Sequence, residues 1–308
     1  MERHDLDNFT ASPTDGDPQG ATPSRAPYHM CNRYMIRCDI EGVTGVTSYD
    51  EAEPGKPDYA YGRTMFLADL HACLRGLRAG GAEELVIYDE HYYGRNIQMD
   101  EVGGDTRVIR GKPPYRPEWP GGLDASFAGV VLLGFHSKAG TVGGLLPHSY
   151  ELDIRDLRLN GISVGEIGME AAVAGDCGVP VLLVVGDSAG VEEARTLLPG
   201  VSGVKVKYSL GETGACCISA ETTTRQISAT AREVAMTPPP VQPYRTGSYT
   251  WLEVVLNDGP YLEALRPLAG SRLRGERTLV FGGANATTVW SAYWQLKLKV
   301  QAAMGSKA

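Results

Sequence analysis

No apolar run in the 308-residue chain approaches the ~20 residues that a membrane-spanning helix needs, so no membrane partner is expected. Basic clusters are missing as well. With a formal net charge of −8, the chain lacks the positive face that phosphate recognition requires, which excludes nucleic acid as a partner. The six cysteines, Cys31, Cys38, Cys73, Cys177, Cys216 and Cys217, form no CxxC and no paired framework. Reduced thiols in a cytoplasmic protein are therefore expected, with the vicinal Cys216 and Cys217 structural. The first 33 residues lack the apolar core of a secretory signal. They are rich in Asp, Pro, Ser, Thr and Gly, and a disordered tail is expected over residues 1–33. Histidine is scarce: of the six, His4 and His29 fall in the tail and His71 in a helical pattern, leaving His91, His136 and His148.

What is present is an alternation of short apolar strands and helices. YMIRCD (34–39), LVIYD (85–89), VVLLGF (130–135) and VPVLLVV (179–185) are nearly continuous apolar runs. Residues 59–77 place Leu67, Leu70, Leu74 and Leu77 on one helical face, and Gly80-Gly81 ends it. Asn160-Gly161 marks a hairpin within 157–164, and helices are expected over 165–174 and 220–236. This pattern predicts a three-layer α/β/α fold with a mostly parallel sheet. The Pro-rich stretch TPPPVQP (237–243) suggests a division between a metal-binding α/β catalytic domain at 34–236 and a smaller C-terminal α/β unit at 237–308. In that unit, strands are expected at 251–256 and 278–281 and a helix at 288–300.

Several polar residues fall at the carboxyl ends of these strands, the edge where open α/β sheets bind ligands. Asp39 and Glu41 stand two apart, on one face of the first strand's exit. His91 follows the second strand and His136 the third. Glu166, in SVGEIG, opens a helix. Singly, each reads equally well as a solvated strand end, a satisfied core histidine or a first-turn glutamate favouring the helix dipole. Together, two imidazoles and three carboxylates suit Zn, in a number that fits two ions sharing a carboxylate. His148 lies in the Gly-rich loop GTVGGLLPHS, a usual carrier for an acid–base group. A competing signal is Gly186-Asp187-Ser188-Ala189-Gly190, a literal G-x-S-x-G between strand and helix. An α/β-hydrolase places its triad histidine after the serine, and no histidine follows His148. Ser188 is therefore expected near a helix N-cap.

In order, CDIEGVTG, VIYDEH, LLGFH with a later PHS, and VGEIGMEA resemble the DppA-type D-aminopeptidases, which are zinc metallopeptidases. The resemblance runs from about Tyr34 to the last helix. It implies Asp39, Glu41, His91, His136 and Glu166 as metal ligands, His148 as the catalytic residue, and a homo-oligomer, in the family a decamer. The activity implied is zinc-dependent release of an N-terminal residue, D-Ala foremost, from short peptides or amides, with Asp39 bridging two zinc ions. Glu90 stands where a small polar residue is expected, and the His136–His148 loop is one residue longer. These departures leave open a metal-dependent amidase acting on a biosynthetic amide. A non-catalytic metal-binding protein is the other alternative, against which His148 argues.

Overall fold

The computed structural model describes residues 32–305 apart from 114, 115, 117 and 118. The expected tail lies outside them except for its last two residues, and Arg33 already belongs to the first strand. β1 (Arg33–Cys38) leads through a single turn, α1 (Tyr49–Ala52), and the long α2 (Tyr59–Ala79) to β2 (Glu84–Asp89) and β3 (Thr106–Ile109). β4 (Gly129–Phe135) is followed by the hairpin β5 (Ile154–Leu159) and β6 (Ile162–Val164), then α3 (Glu166–Asp176), β7 (Val181–Asp187) and α4 (Ser188–Leu197). β8 (Ser202–Ser209), β9 (Ala215–Cys217) and α5 (Ala220–Met236) precede the Pro-rich linker. After it come β10 (Thr250–Leu256), α6 (Pro260–Ala269), β11 (Leu273–Arg274), β12 (Thr278–Gly283) and α7 (Ala286–Ala303).

The main sheet has seven strands in the order β3-β2-β1-β4-β7-β8-β9, all parallel except β9. β1, β4 and β7 are central and buried on both faces, which is why they are mostly apolar, with the buried Arg37 interrupting β1. α2 and α5 cover one face and α3 and α4 the other, giving the expected three layers. The strand order reverses direction between β1 and β4, so the chain leaves the sheet to opposite sides there. A crevice opens at such a switch point beyond the carboxyl ends of the strands.

The second sheet is antiparallel, in the order β11-β12-β10-β5-β6. Its centre, β10, pairs with β12 on one side and with β5 on the other, so the hairpin encoded before the linker completes a sheet encoded after it. The break in composition at residue 237 is thus not the break between the sheets. α3 lies between the two cores. Ile167, Ala171 and Ala174 face the first, and Met169, Ala172 and Val173 face the second with Trp290 and Tyr293 of α7. A helix apolar on all sides is the pattern of full burial.

Past its strand end, β1 stays pinned to β4. Asp39 N donates to Leu133 O (2.8 Å) and Gly42 N to Gly134 O (2.7 Å). Gly134 has φ +78°, and a Cβ there would sit 2.0 Å from Asp39 O. Gly161, at the hairpin tip with φ +82°, has nothing within 4 Å. Gly134→Ala should therefore cost strain plus overpacking, about 1–3 kcal/mol, whereas Gly161→Ala should cost only the backbone term of about 1 kcal/mol. Urea unfolding of both variants checks this; equal midpoints would show that the β1–β4 junction gives way.

Candidate metal centre

All six residues singled out in the sequence meet at the switch-point crevice. Asp39 and Glu41 leave β1, His91 follows β2, His136 follows β4, and Glu166 is the first residue of α3; His148 arrives on the loop after β4. Asp39 turns its two oxygens in different directions: Oδ1 lies 2.7 Å from His91 Nδ1, and Oδ2 3.4 Å from His136 Nε2. Glu41 does the same, with Oε2 3.2 Å from His91 Nδ1 and Oε1 4.0 Å from His148 Nε2. Glu166 Oε1 stands 3.3 Å from His136 Nε2 and 3.9 Å from His148 Nε2. The His136 and His148 rings stack, with centroids 4.1 Å apart.

Each imidazole is oriented from behind by a backbone carbonyl. His91 Nε2 is 2.9 Å from Ala52 O, His136 Nδ1 is 3.0 Å from Ser137 O, and His148 Nδ1 is 2.9 Å from Leu146 O. A ring nitrogen facing a carbonyl must be the N–H donor, so the other nitrogen of each ring is the one turned toward the carboxylates and free to ligate a metal in place of a proton. Holding these turns open needs unusual backbone. Tyr92, Leu146 and Tyr150 have φ of 54°, 47° and 62°, each beside a site residue. Tyr150 N donates to Glu166 Oε1 (2.6 Å), and its hydroxyl to Glu170 Oε1 (2.6 Å). Beneath Glu41, buried Lys207 donates to the carbonyls of Glu41 (2.6 Å) and Val43 (2.8 Å), and also to that of Val46, fixing the loop that carries the carboxylate.

The charge balance of this cavity is strained. Burial, with Glu41 beside it, pushes the Asp39 carboxyl up to about 7. Burial also works against charge on Glu41, yet His91 holds that carboxyl well below the usual range. For His136, burial opposes the imidazolium, but Glu166, Asp39 and Glu41 raise it to about 10. His91 likewise stands well above its ordinary value, burial being overcome by Glu41 and Asp39. His148 alone is pushed down, by burial and by neighbouring His136.

The donor set fits a divalent metal. Among the described residues, Asp39 Oδ2, Glu41 Oε2 and His136 Nε2 are buried and face only the charged groups of the centre itself, at 3.2–3.4 Å. The ligand atoms of Asp39, Glu41 and His136 lie within 4.8 Å of one another, and so do those of His136, His148 and Glu166. Buried polar atoms left unpaired on this scale are explained by a cation that they were shaped to hold. Glu90, the departure noted in the sequence, is turned away: its Oε1 pairs with Arg37 Nη1 at 3.1 Å. Asp89 is structural, accepting from Asn96 N (2.7 Å), Asn96 Nδ2 (2.7 Å) and Ile97 N (3.2 Å) to shape the loop after His91. His71 also lies apart, with Nε2 2.7 Å from Glu101 O, and His4 and His29 fall outside the described residues. Neither Tyr49, whose ring meets His148 edge-on, nor the Ala52 carbonyl stands out in the sequence, because α1 is too short to show a period.

Carboxylates shared among imidazoles at the switch point of a parallel sheet define the class of α/β metallohydrolases. A family model described as D-aminopeptidase matches residues 33–294, and the chain belongs to that family. It is 31% identical over 189 residues to a D-aminopeptidase of Bacillus subtilis (strain 168), covering 61% of this chain and 68% of the relative. Its fold is similar to that of the Zn-dependent D-aminopeptidase DppA from Bacillus subtilis, a self-compartmentalizing protease. The TM-score is 0.77 at 25% identity, over 88% of this chain and 98% of that one.

The G-x-S-x-G turn is a helix start and nothing more. Asp187 caps α4 through Ala189 N (3.0 Å) and Gly190 N (3.2 Å), and Ser188 Oγ accepts from Ser209 N at 3.0 Å. Ser188→Ala should cost about 1 kcal/mol in stability and leave turnover unchanged. A folded, metal-loaded but inactive Ser188→Ala protein would overturn the metal-centred assignment.

Proposed function

We propose that the chain is a zinc-dependent aminopeptidase that cleaves the first amide bond of short peptides or amides, with a D-residue, D-Ala foremost, at the N-terminus. The observation that carries this is the orientation of the three imidazoles, each anchored to a carbonyl and aimed at carboxylates with unpaired oxygens. Asp39, Glu41, His91, His136 and Glu166 would hold the zinc, and Asp39, whose two oxygens face different imidazoles, would be the carboxylate shared between two ions. The bound zinc supplies an acidified water and an electrophilic contact for the amide carbonyl. The substrate's free amino group would be anchored by a carboxylate or by the metal, and the buried walls limit the entry of bulk water. His148, the one imidazole biased toward its neutral form, takes up a proton at Nε2 and returns it to the leaving amine.

Family membership and the fold shared with a Zn-dependent relative support this reading. Glu90, one of the two features that motivate the amidase alternative, pairs with Arg37, which Glu170 also meets, rather than with the site histidines. A cytoplasmic setting goes with the free cysteines, and among the described residues no helix is long and apolar enough to cross a membrane. By likeness to the self-compartmentalizing relative, the chain assembles as a homo-oligomer, a decamer in our reading. Val142 and Leu210, 100% and 74% exposed on loops joined by Leu146 N to Glu212 O (3.1 Å), are apolar surface available for such contacts.

Chelation should abolish release of D-Ala from D-Ala-D-Ala and added zinc should restore it, with L-Ala-L-Ala as the control for handedness; full activity in metal-free protein would refute the proposal. His148→Ala should keep its zinc stoichiometry and lose turnover by roughly 10²–10⁴-fold. Because His148 also lies within 4.8 Å of His136 and Glu166 ligand atoms, loss of one zinc per chain in that variant would reassign it as a ligand.

A further inference from the structure

Tyr49 opens α1, a helix of one turn whose start is fixed by a capping box. Ser48 Oγ accepts from Glu51 N (3.3 Å), and Glu51 Oε2 accepts from Ser48 N (3.1 Å) and Thr47 N (2.6 Å). The last residue of the same turn, Ala52, anchors His91 through its carbonyl. The first residue reaches the other side of the centre, where the Tyr49 ring stands over His148 with centroids 5.6 Å apart and planes at 76°. One rigid turn therefore spans the centre from His91 to His148.

The Tyr49 hydroxyl makes no hydrogen bond among the described residues. Its ring is half-buried, and the charged groups that bear on it are the carboxylates of Glu41, Glu166 and Glu212. Two of these belong to the metal centre, and the ring itself stands beside the imidazole assigned to proton transfer. A phenol there is a fixed donor without an acceptor of its own, the arrangement needed where an oxygen gains negative charge only during reaction.

We propose that the Tyr49 hydroxyl donates a hydrogen bond to the carbonyl oxygen of the scissile amide as that oxygen becomes negative. The assignment rests on the aminopeptidase reading above. Water adds through its oxygen to the amide carbon, and the carbonyl π pair moves onto the oxygen that Tyr49 meets. The proton lost by the water passes to His148. Collapse restores the carbonyl, breaks the C–N bond and delivers that proton to the leaving amine. Burial, followed by the three carboxylates, pushes the phenol up to about 12, so it keeps its proton at neutral pH.

Tyr49→Phe keeps the ring against His148 and removes only the donor. In the zinc-loaded full chain, kcat for D-Ala-D-Ala should fall ~10²–10³-fold, with KM within roughly twofold of wild type. Zinc content should not change. Affinity for a phosphinate analogue, measured by calorimetry, should fall by about the same factor as kcat, since the analogue mimics the tetrahedral species. Wild-type kcat and phosphinate affinity in Tyr49→Phe would overturn the assignment while leaving the aminopeptidase reading intact. Loss of zinc with the activity would also overturn it, making Tyr49 a support for the ligands. A zinc-loaded wild type that releases no D-Ala would sink both.

Discussion

Three carboxylates and three imidazoles share a cavity nearly closed to solvent, and negative charge in such a space must be matched by positive charge for the chain to close around it. Asp39, Glu41 and Glu166 approach one another because the backbone forces them to, β1 being pinned to β4 beyond its end and α3 starting between two packed cores. Without a metal, protons and imidazolium ions carry the balance, which is why His91 and His136 are raised and Asp39 retains its proton toward neutrality. A divalent cation would meet the same demand by taking the histidine lone pairs that protons otherwise occupy. Much of the surrounding architecture follows from holding these like-charged groups together.

That architecture works from behind the ligands. The carbonyls of Ala52, Ser137 and Leu146 fix the rings, and Lys207 gathers the carbonyls of the Glu41 loop. Three non-glycine residues with left-handed backbone lie at the shoulders of the site, each strained by ~1–3 kcal/mol relative to relaxed loops. Tyr150, one of these, packs on Trp290 with centroids 4.5 Å apart and gives its N–H to Glu166. The aromatic core of the second sheet thereby helps to set Glu166 at the centre beside the first.

The parts legible in the sequence were those with a strong local signal. α2 and α5 have clear helical spacing, the central strands are nearly continuous apolar runs, and Asp39, Glu41, His91 and His136 follow the ends of β1, β2 and β4. β8 escaped notice because SGVKVKYS alternates, with the buried Lys207 in what looks like a solvated position. α6 was hidden by Pro260 at its start and Pro267 near its end. Tyr49 and Ala52 work from a single turn with no period to detect. The pairing of β10 with β5 is set by tertiary packing, and neither strand's own sequence announces it.

Because β10 lies between β5 and β12, covalent continuity through the Pro-rich linker and structural continuity of the second sheet are separate properties. A nick in residues 237–243 would leave one fragment with all six centre residues but an unpaired β5 edge. The other fragment would hold α7 without α3, one of the two helices it packs on. Neither piece is a domain in the sense of self-sufficient folding, yet each presents the other with a matching edge and apolar face. The linker is thus a natural seam for a split enzyme, whose activity would report on reassembly of the two pieces.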